Sequence, residues 1–467
     1  MSEIASVGTD QTNLFPRELD REYPLIARGS GVWLTDVAGN DYLDAVGGGA
    51  MTSTLGHAVP EIVEAARRQA QEISFIYNQQ FTSPAQEKLA EELTSLTPPG
   101  MNRVHFTSGG AEANETALRL LRSYHVERGE PDRCRTISQA QAYHGPTMAT
   151  LGLTGRPGLW HPYDPFIARQ LYVPPSTWRF DPTGDAALRE LDDRLAEAGP
   201  GSVAAFFCEP VSAAALPAYS PPDAFWAGLA ERRDRHGFLI VLDEVVTGMG
   251  RTGAWFASEQ LPFVPDIITT AKGLGAGYAP VGAVICGDHV FDAIASGSRA
   301  FEHGHTWDGA PLPCAVGVAV IDYLKQHKLV ERVADRGPQL RDQLVQALEG
   351  SELVREVRGR GFLLGIEYVD PRDGESMLPS GLSTARQIDL EALNRGLIVY
   401  STQPTADGYV GDQTLLAPAF VSSDEELDEI VQRLTATVHA VEKWVKQALS
   451  NASPAVRGPR SSAVLPA

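Results

Sequence analysis

Lys272 is the residue whose setting most clearly indicates covalent chemistry. It lies within residues 269–277, a stretch of threonine, alanine, glycine and leucine that contains no other charge. Asp243 stands earlier in the chain, at the end of the apolar run of residues 238–242. A shielded loop lowers the pKa of a lysine and leaves a nucleophilic amine, which can form a Schiff base with the aldehyde of pyridoxal phosphate (PLP). Since a carboxylate can keep the PLP pyridine nitrogen protonated, the two residues together predict PLP chemistry.

Asp243 needs a cationic partner if it is buried at the end of its apolar strand. An unpaired buried carboxylate is costly, and a pyridinium nitrogen would be a suitable partner. Val245 would share the strand face of Asp243 and could press on one side of the ring if the strand continues. Tyr143 offers an aromatic ring for the other side, although a lone tyrosine more often belongs to a core.

Two further segments have the form of binding sites at strand ends. Residues 107–114 follow an apolar strand and open a helix, so their small side chains would let backbone N–H groups reach a phosphate. A plain tight turn explains them equally well. Glu209 follows the apolar run of residues 203–207, at the end of a strand where open α/β sheets place their sites. A solvated glutamate is the alternative at that position.

Two other motifs suggest different chemistries. Residues 248–253 match G-x-G-x-x-G, but these glycines start several residues past the strand end, and no clear crossover helix or ribose-binding acid follows. His303 and His305 invite a metal, yet no acid or cysteine cluster supports them. We therefore predict neither a nicotinamide site nor a metal site. Thr306, in the same segment as the histidines, could donate its hydroxyl to a phosphate.

The composition indicates a cytoplasmic enzyme. The 467 residues suffice for two or three domains, and the net charge of −20 disfavours nucleic acid and anionic membranes as partners. The four cysteines form no C-x-x-C pair, which favours reduced thiols. No run approaches the ~20 apolar residues of a membrane span, and the first residues lack the order of a signal peptide.

The order of elements predicts an α/β protein. Between residues 103 and 283 short apolar runs alternate with helical stretches, which is typical of a parallel sheet covered on both faces. Gly39-Asn40 predicts a hairpin, and residues 315–348 predict a long helix that breaks or kinks at Gly337-Pro338. We divide the chain into an N-terminal arm with part of a small domain (1–75), a large PLP-binding domain (76–314), a C-terminal small domain (315–449) and a disordered tail (450–467).

Several motifs together resemble the class III PLP-dependent aminotransferases, the ω-transaminase group. Residues 242–253, followed by residues 271–273, carry the signature, and the resemblance extends from about residue 41 to about residue 434. Further matching segments are residues 55–57, 108–114, 143–145, 209–211, 305–306, 358–361 and 416–418. The resemblance implies the aspartate-aminotransferase-like fold, with a large, mostly parallel seven-stranded sheet domain and a smaller α+β domain from both chain ends. It also implies a homodimer, or a tetramer, with active sites at the interface.

By the same resemblance, three residues have catalytic roles. Lys272 would be the Schiff-base lysine that also moves the proton between the substrate carbon and the cofactor. Asp243 would pair with the pyridine nitrogen. Glu209 would lie near the ring and its hydrogen-bond network.

The resemblance also implies how PLP is held. Gly110 and Ala111 would supply backbone N–H groups to the phosphate. Tyr143 and Val245 would cover the two faces of the ring. Thr306 would reach the phosphate of the neighbouring subunit's PLP.

Departures from the family pattern narrow the expected substrate. Val246 stands where ornithine- and GABA-type members usually carry glutamine, and Pro146 stands where many acetylornithine-type members have arginine. Both favour the amine:pyruvate or ω-amino-acid side of the family. Many of those enzymes place a mobile arginine just before a Gly-Asp pair, whereas Val410 precedes Gly411-Asp412 here. Either another residue, for which Arg156 is a candidate, receives a substrate carboxylate, or one substrate carries none.

The expected reaction moves an amino group from an amine or ω-amino acid to a 2-oxo acid such as pyruvate, through a pyridoxamine form of the cofactor. Met51, Tyr77, Trp160 and Trp307 could form an aromatic pocket for a bulky amine. Alternatives on the same scaffold are an aminomutase, an amino-acid racemase, or a biosynthetic aminotransferase acting on a larger carbonyl without a carboxylate. A nicotinamide dehydrogenase and a non-catalytic binding protein are the alternatives from other classes.

Overall fold

The computed structural model of the chain describes residues 6–8, 12–177, 181–403 and 410–451. The predicted disordered tail lies outside the described residues from position 452 onward. Its first two residues instead continue the closing helix, which ends at Asn451.

The described residues form strands and helices whose bounds follow in chain order. The strands are β1 (Ser6–Val7), β2 (Tyr23–Pro24), β3 (Ile26–Ser30), β4 (Trp33–Asp36), β5 (Asp41–Asp44), β6 (Arg103–Thr107), β7 (Arg135–Gln139), β8 (Leu171–Val173), β9 (Val203–Cys208), β10 (Leu239–Asp243), β11 (Ile267–Thr270), β12 (Gly282–Cys286), β13 (Val354–Arg360), β14 (Leu363–Tyr368), β15 (Leu397–Ile398), β16 (Tyr400–Thr402) and β17 (Gln413–Leu416). The helices are α1 (Pro60–Glu72), α2 (Pro84–Leu96), α3 (Gly110–Glu127), α4 (Met148–Leu153), α5 (Pro157–Trp160), α6 (Asp185–Ala198), α7 (Asp223–His236), α8 (Asp288–Ser296), α9 (Pro311–Gln326), α10 (Leu329–Ala347), α11 (Thr384–Asn394) and α12 (Asp424–Asn451).

A seven-stranded sheet with the order β6-β12-β11-β10-β9-β7-β8 forms the centre of the molecule. Strand β12 runs antiparallel to both of its neighbours, and the other pairs are parallel. Strands β9 and β10 are buried along their whole length, as expected for parallel strands covered on both faces. Helices α3 and α8 pack on one face, and α6 and α7 pack on the other. The predicted mostly parallel seven-stranded sheet is confirmed.

The register of this sheet brings two carboxylates to the same edge. Leu242 of β10 pairs with Cys208 of β9. Asp243 follows Leu242 and Glu209 follows Cys208, so the two acidic side chains emerge side by side at the carboxyl ends of parallel strands. Open α/β sheets place their ligand sites at this edge.

Two four-stranded sheets lie outside the central sheet, and the second of them joins the two ends of the chain. One is antiparallel with the order β13-β14-β17-β16, and the other has the order β15-β5-β4-β3. In the second sheet β15, from the C-terminal part, pairs in parallel with β5 from the N-terminal part. The hairpin predicted at Gly39-Asn40 is confirmed, since β4 and β5 pair antiparallel around it. Helices α10 and α11 pack against α12 on this side of the molecule.

For the long helix predicted over residues 315–348, the predicted position of the break is wrong. The chain forms two helices that separate at Lys328, whose φ of 51° is left-handed, and α10 runs through Pro338 without interruption. Gly337 does not end the helix. It allows α10 to pack closely against Gly361, since a Cβ at position 337 would lie 2.5 Å from the Cα of Gly361. Buried side chains of α10, among them Leu340 and Leu344, anchor it in the main core and offset the hydrogen bond that proline removes.

Candidate active site

A cavity of about 260 Å³ opens where β9, β10 and β11 end and α3 begins. Its walls combine two acids, one lysine, small residues and several apolar side chains. The lining residues are Thr52, Ser108, Gly109, Gly110, Ala111, Asn114, Tyr143, His144, Gly145, Pro146, Glu209, Ala214, Asp243, Val245, Val246, Ala271, Lys272, Ala279, Pro280 and Val281. The structure therefore brings together all of the predicted site residues except Thr306.

Lys272 lies two residues after β11, in a short 3₁₀ turn. Its φ is 37°, a conformation that a residue with a side chain adopts only when its surroundings impose it. The turn is held by hydrogen bonds from Leu274 N to Ala271 O (2.8 Å) and from Ala276 N to Lys272 O (3.0 Å). The local backbone thus fixes the direction in which the lysine leaves the chain.

The Lys272 amine is tuned toward its neutral form. Burial lowers its pKa, the carboxylates of Asp243 and Glu209 act in the opposite direction, and the buried Arg251 guanidinium lowers it further. A neutral amine has a free lone pair, which both nucleophilic attack and proton transfer require.

Asp243 is fixed by three hydrogen bonds at the end of β10. Its Oδ2 accepts from Asn114 Nδ2 and from His144 Nδ1, each at 2.8 Å, and its Oδ1 accepts from Val245 N at 3.0 Å. The side chain is buried but reaches the cavity wall. The carboxylate is therefore preorganised to meet a cationic group placed in the cavity.

Asn114 and His144, which hold Asp243 in place, are residues that the sequence analysis did not single out. Asn114 also donates to His144 O (2.7 Å) and accepts from Thr269 Oγ1 (2.7 Å), so it ties α3 to β11. His144 N donates to Thr154 Oγ1 at 3.0 Å. Each residue stands inside a motif noted from the sequence, and this position was the available signal. Their shared contact with Asp243 depends on the tertiary fold.

The start of α3 is shaped to receive an anion. The helix begins at Gly110, and the first N–H groups of a helix have no partner within it and carry its positive dipole end. A Cβ at Gly110 would lie 2.8 Å from both methyl carbons of Val245, so only glycine fits beneath that side chain. The end of the cavity at Gly110 and Ala111, next to the wall formed by Val245, is therefore suited to bind a phosphate.

Glu209 links the part of the cavity wall that contains Tyr143 to the loop that follows β9. Its Oε2 accepts from Tyr143 N (3.3 Å) and Ser212 Oγ (3.2 Å), and its Oε1 accepts from Ala213 N (3.2 Å). Burial raises the pKa of Glu209 to about 7, with a further increase from Asp243 and a decrease from His144. Near neutrality this side chain can therefore hold or release a proton.

The raised pKa of Glu209 makes stability depend on pH. A carboxyl whose pKa rises on folding stabilises fully below its unfolded value, here 4.5, and loses that contribution as pH rises through about 7. At about 1.4 kcal/mol per pKa unit, the whole change is about 3 kcal/mol. Replacing Glu209 by Gln should remove this part of the pH dependence, because the amide does not titrate.

Urea unfolding from about pH 5 to about pH 8 measures this effect. Relative to Glu209→Gln, wild type should lose about 2.5 kcal/mol of unfolding free energy over that interval, since a smaller part is already lost below pH 5. Glu349→Gln, at an exposed position, is the matched control and should run parallel to wild type. Parallel profiles for wild type and Glu209→Gln would contradict the assigned protonation.

Thr306 and the proposed aromatic pocket lie away from this cavity within one chain. Thr306 is exposed, and neither it nor Met51, Tyr77, Trp160 or Trp307 lines the cavity. Met51 is buried in a separate apolar cluster, while Tyr77 and Trp307 are exposed. The four-residue pocket expected from the sequence is therefore not formed around Lys272 by a single chain.

The glycine motif at residues 248–253 serves packing. A Cβ at Gly250 would lie 2.8 Å from Val330 Cγ2, and one at Gly253 would lie 2.7 Å from Ala334 Cα, so the loop presses closely against α10. Within the same loop Arg251 is fully buried and donates to Phe362 O (3.1 Å) and Pro418 O (2.6 Å). No helix of the dinucleotide-binding type follows, since the next element is a 3₁₀ turn (Ala257–Gln260).

The histidines near residue 305 form a hydrogen-bonded group. His303 Nε2 lies 2.8 Å from Thr116 Oγ1, while His105 Nε2 (3.1 Å) and His305 N (2.6 Å) bond to Asp308 Oδ2. Within the part of the chain that the structure describes, no group of three or more His, Cys, Asp or Glu is arranged to hold a metal ion. These contacts fix the segment that carries Thr306.

The fold and the site together define a PLP-dependent transferase. The parallel sheet places Asp243 at a strand end, the start of α3 provides the anion-binding end, and Lys272 projects from the turn after β11. Bound PLP supplies an electron-withdrawing ring to the substrate carbon. Gly110, whose missing Cβ leaves room under Val245, and the hydrogen-bonded Asp243 both fit this cofactor.

Comparisons with known proteins agree with this class. The profile of the family described as "Aminotransferase class-III" matches residues 15–438. The uncharacterized aminotransferase YodT of Bacillus subtilis is 34% identical over 93% of this chain and 99% of its own. The putrescine–pyruvate aminotransferase of Pseudomonas aeruginosa is 32% identical over 87% and 88% of the two chains. A PLP-bound amine transaminase from an uncultivated Pseudomonas species superposes with a TM-score of 0.81 at 32% identity, over 89% of this chain and 95% of that one.

This chain therefore belongs to the class III aminotransferases, and it is an enzyme that uses PLP. Among the described residues, no helix combines the length and the apolar character needed to cross a membrane.

Proposed function

We propose that this enzyme moves the amino group of an amine or ω-amino acid to a 2-oxo acid such as pyruvate. The observation that carries the proposal is the Lys272 amine, whose pKa burial lowers, in a cavity that also contains the hydrogen-bonded Asp243. These groups suit the abstraction and return of a proton at a carbon next to nitrogen. The putrescine–pyruvate aminotransferase is a relative whose name specifies a diamine donor and pyruvate as acceptor, which supports the same pairing here.

In this proposal Lys272 is the only residue that moves the key proton. Its Nζ accepts a proton from the substrate carbon and returns one to the cofactor side, since it is the single lysine of the cavity wall. Asp243 holds a proton on the pyridine nitrogen, and its own orientation is set by Asn114 and His144. Glu209 adjusts the protonation of the neighbouring groups.

The remaining residues bind and orient. The N–H groups of Gly110 and Ala111 hold the phosphate at the start of α3, and Tyr143 and Val245 confine the ring between them. Val246, Ala214 and Pro146 are apolar members of the same cavity wall, which suits the hydrocarbon part of an amine donor. These contacts exclude water from the reacting carbon.

The proposal includes a homodimer in which Thr306 reaches the PLP phosphate of the neighbouring subunit. Its support is that Thr306 is exposed and lies outside the cavity of its own chain, on a segment fixed by Asp308. Phe75 and Trp307 form an edge-to-face aromatic pair with centroids 5.3 Å apart and are both partly exposed. An apolar surface of this kind next to Thr306 suits contact with a second copy.

Amine-donor screening tests the proposed reaction. Purified holoenzyme should convert pyruvate to alanine with benzylamine, putrescine or β-alanine as donor, and the cofactor spectrum should change when a donor is added without an acceptor. 2-Oxoglutarate should serve less well than pyruvate. An enzyme that isomerises or racemises an amino acid while leaving pyruvate unchanged would instead be an aminomutase or a racemase.

A further inference from the structure

The backbone just before Arg156 is held against the segment that carries Tyr143 and His144 of the cavity wall. Gly155 O accepts from Gln141 N at 2.7 Å, and Thr154 Oγ1 accepts from His144 N at 3.0 Å. A Cβ at Gly155 would lie 2.4 Å from Gln139 O, so the two segments run in direct backbone contact. The position of Arg156 is thus set by the same stretch of chain that carries Tyr143.

The Arg156 side chain lies at the edge of the cavity, beside its apolar wall. Its positive charge acts on the Tyr400 hydroxyl and lowers the pKa of that group against the larger, opposite effect of burial, and the same hydroxyl donates to Ala214 O at 3.4 Å. Ala214 lines the cavity, and Val246, another lining residue, packs with Tyr400 against one apolar cluster. Arg156 itself is not among the lining residues.

No carboxylate neutralises Arg156 among the residues that the structure describes. Other arginines of the chain are engaged, since Arg169 pairs with Asp164 and Arg358 pairs with Glu367 (2.9 Å). A guanidinium offers five donors in a planar fork that matches a carboxylate. The Tyr400 hydroxyl, on which its charge acts, is a neutral group and leaves that charge uncompensated.

Among the described residues of the lining, Lys272 is the only lysine or arginine, and its amine must stay free for chemistry. The two acids of the wall, Asp243 and Glu209, would repel a second carboxylate. An anionic group on a substrate therefore needs a cation at the cavity edge, away from these acids.

We propose that Arg156 receives the substrate carboxylate and that it thereby selects carboxylate-bearing substrates. This inference rests on the proposed function of the same site. The carboxylate can come from the 2-oxo acid acceptor or from the far end of an ω-amino acid donor, and Arg156 binds either in the same way. Tyr400 acts as the positioning residue, since it orients the guanidinium toward the wall formed by Ala214 and Val246.

Direct binding tests the proposal without turnover. Hydrocinnamate, an unreactive carboxylate, and its neutral amide hydrocinnamamide are titrated by calorimetry into the holoenzymes of wild type, Arg156→Met and Arg156→Lys. The Met variant should bind hydrocinnamate roughly 10- to 100-fold more weakly, since charge-assisted hydrogen bonds are lost. Its affinity for the amide should stay within about twofold. The Lys variant should recover part of the loss.

Two further variants separate recognition from a structural role. Arg341→Met makes the same change at a partly exposed position where arginine pairs with Asp342 and should bind both probes like wild type. Tyr400→Phe keeps the guanidinium and should retain most of the hydrocinnamate affinity. Equal loss of both probes in Arg156→Met, carboxylate binding unchanged by that substitution, or no measurable carboxylate binding by wild type would each overturn the proposal.

Kinetic measurements then identify the source of the carboxylate. In Arg156→Met the KM should rise roughly 10- to 100-fold for pyruvate, for β-alanine, or for both. The half-reaction with benzylamine should keep its wild-type rate. Failure of the proposed function would appear separately, as absence of amine transfer in wild type, while the calorimetric result still decides whether Arg156 binds a carboxylate.

Discussion

Lys272→Ala should lose amine transfer almost completely, with kcat reduced by roughly 10⁴-fold or more. The substitution removes the nucleophile, which is also the single lysine of the cavity wall, so no second lysine amine there can replace it. Steady-state transfer from benzylamine to pyruvate gives the rate. Mass spectrometry after borohydride reduction should find PLP attached to wild type at Lys272 and no covalent PLP on the variant.

Lys443→Ala is the matched control for this experiment. Lys443 is exposed on α12, and its replacement should change neither the rate nor the covalent attachment. The circular dichroism spectrum should show that Lys272→Ala remains folded. Sustained multiple turnover by a folded Lys272→Ala variant would refute the assignment of this residue.

Asp243→Asn should reduce kcat by roughly 10²- to 10⁴-fold and should weaken the binding of PLP. Removing one partner of a buried ion pair costs about 3–5 kcal/mol, which corresponds to that range of fold-change. The amide would also present a donor where the carboxylate now accepts only, from Asn114, His144 and Val245. At one or more of these contacts, two hydrogen-bond donors would therefore face each other.

Absorbance titration with PLP and single-turnover rates measure the two effects of Asp243→Asn. Asp342→Asn, at an exposed position paired with Arg341, makes the same chemical change and should behave like wild type. A variant at Asp243 that kept wild-type rate and PLP affinity would show that the carboxylate does not pair with the pyridine nitrogen.

Much of the fold was predictable because its signals are local. The apolar runs that became β9 and β10 are followed directly by Glu209 and Asp243, so each strand end and its acid could be identified together. The small residues before α3 similarly predicted the turn that starts at Gly110. The predicted break at Pro338 failed because contacts of α10 with distant parts of the chain decide whether a helix tolerates proline.

The site shows the same division between local and distant information. The sequence by itself predicted Lys272 as the reactive amine and Asp243 as the strand-end carboxylate, and its prediction of the cofactor is confirmed, since each depends on residue type and immediate neighbours. Only the tertiary structure decided that Asn114 and His144 hold Asp243, that Glu209 is buried enough for its pKa to reach about 7, and that Arg156 stands beside Tyr400. Desolvation and hydrogen bonds between segments far apart in the chain produce these properties, and no local periodicity encodes them.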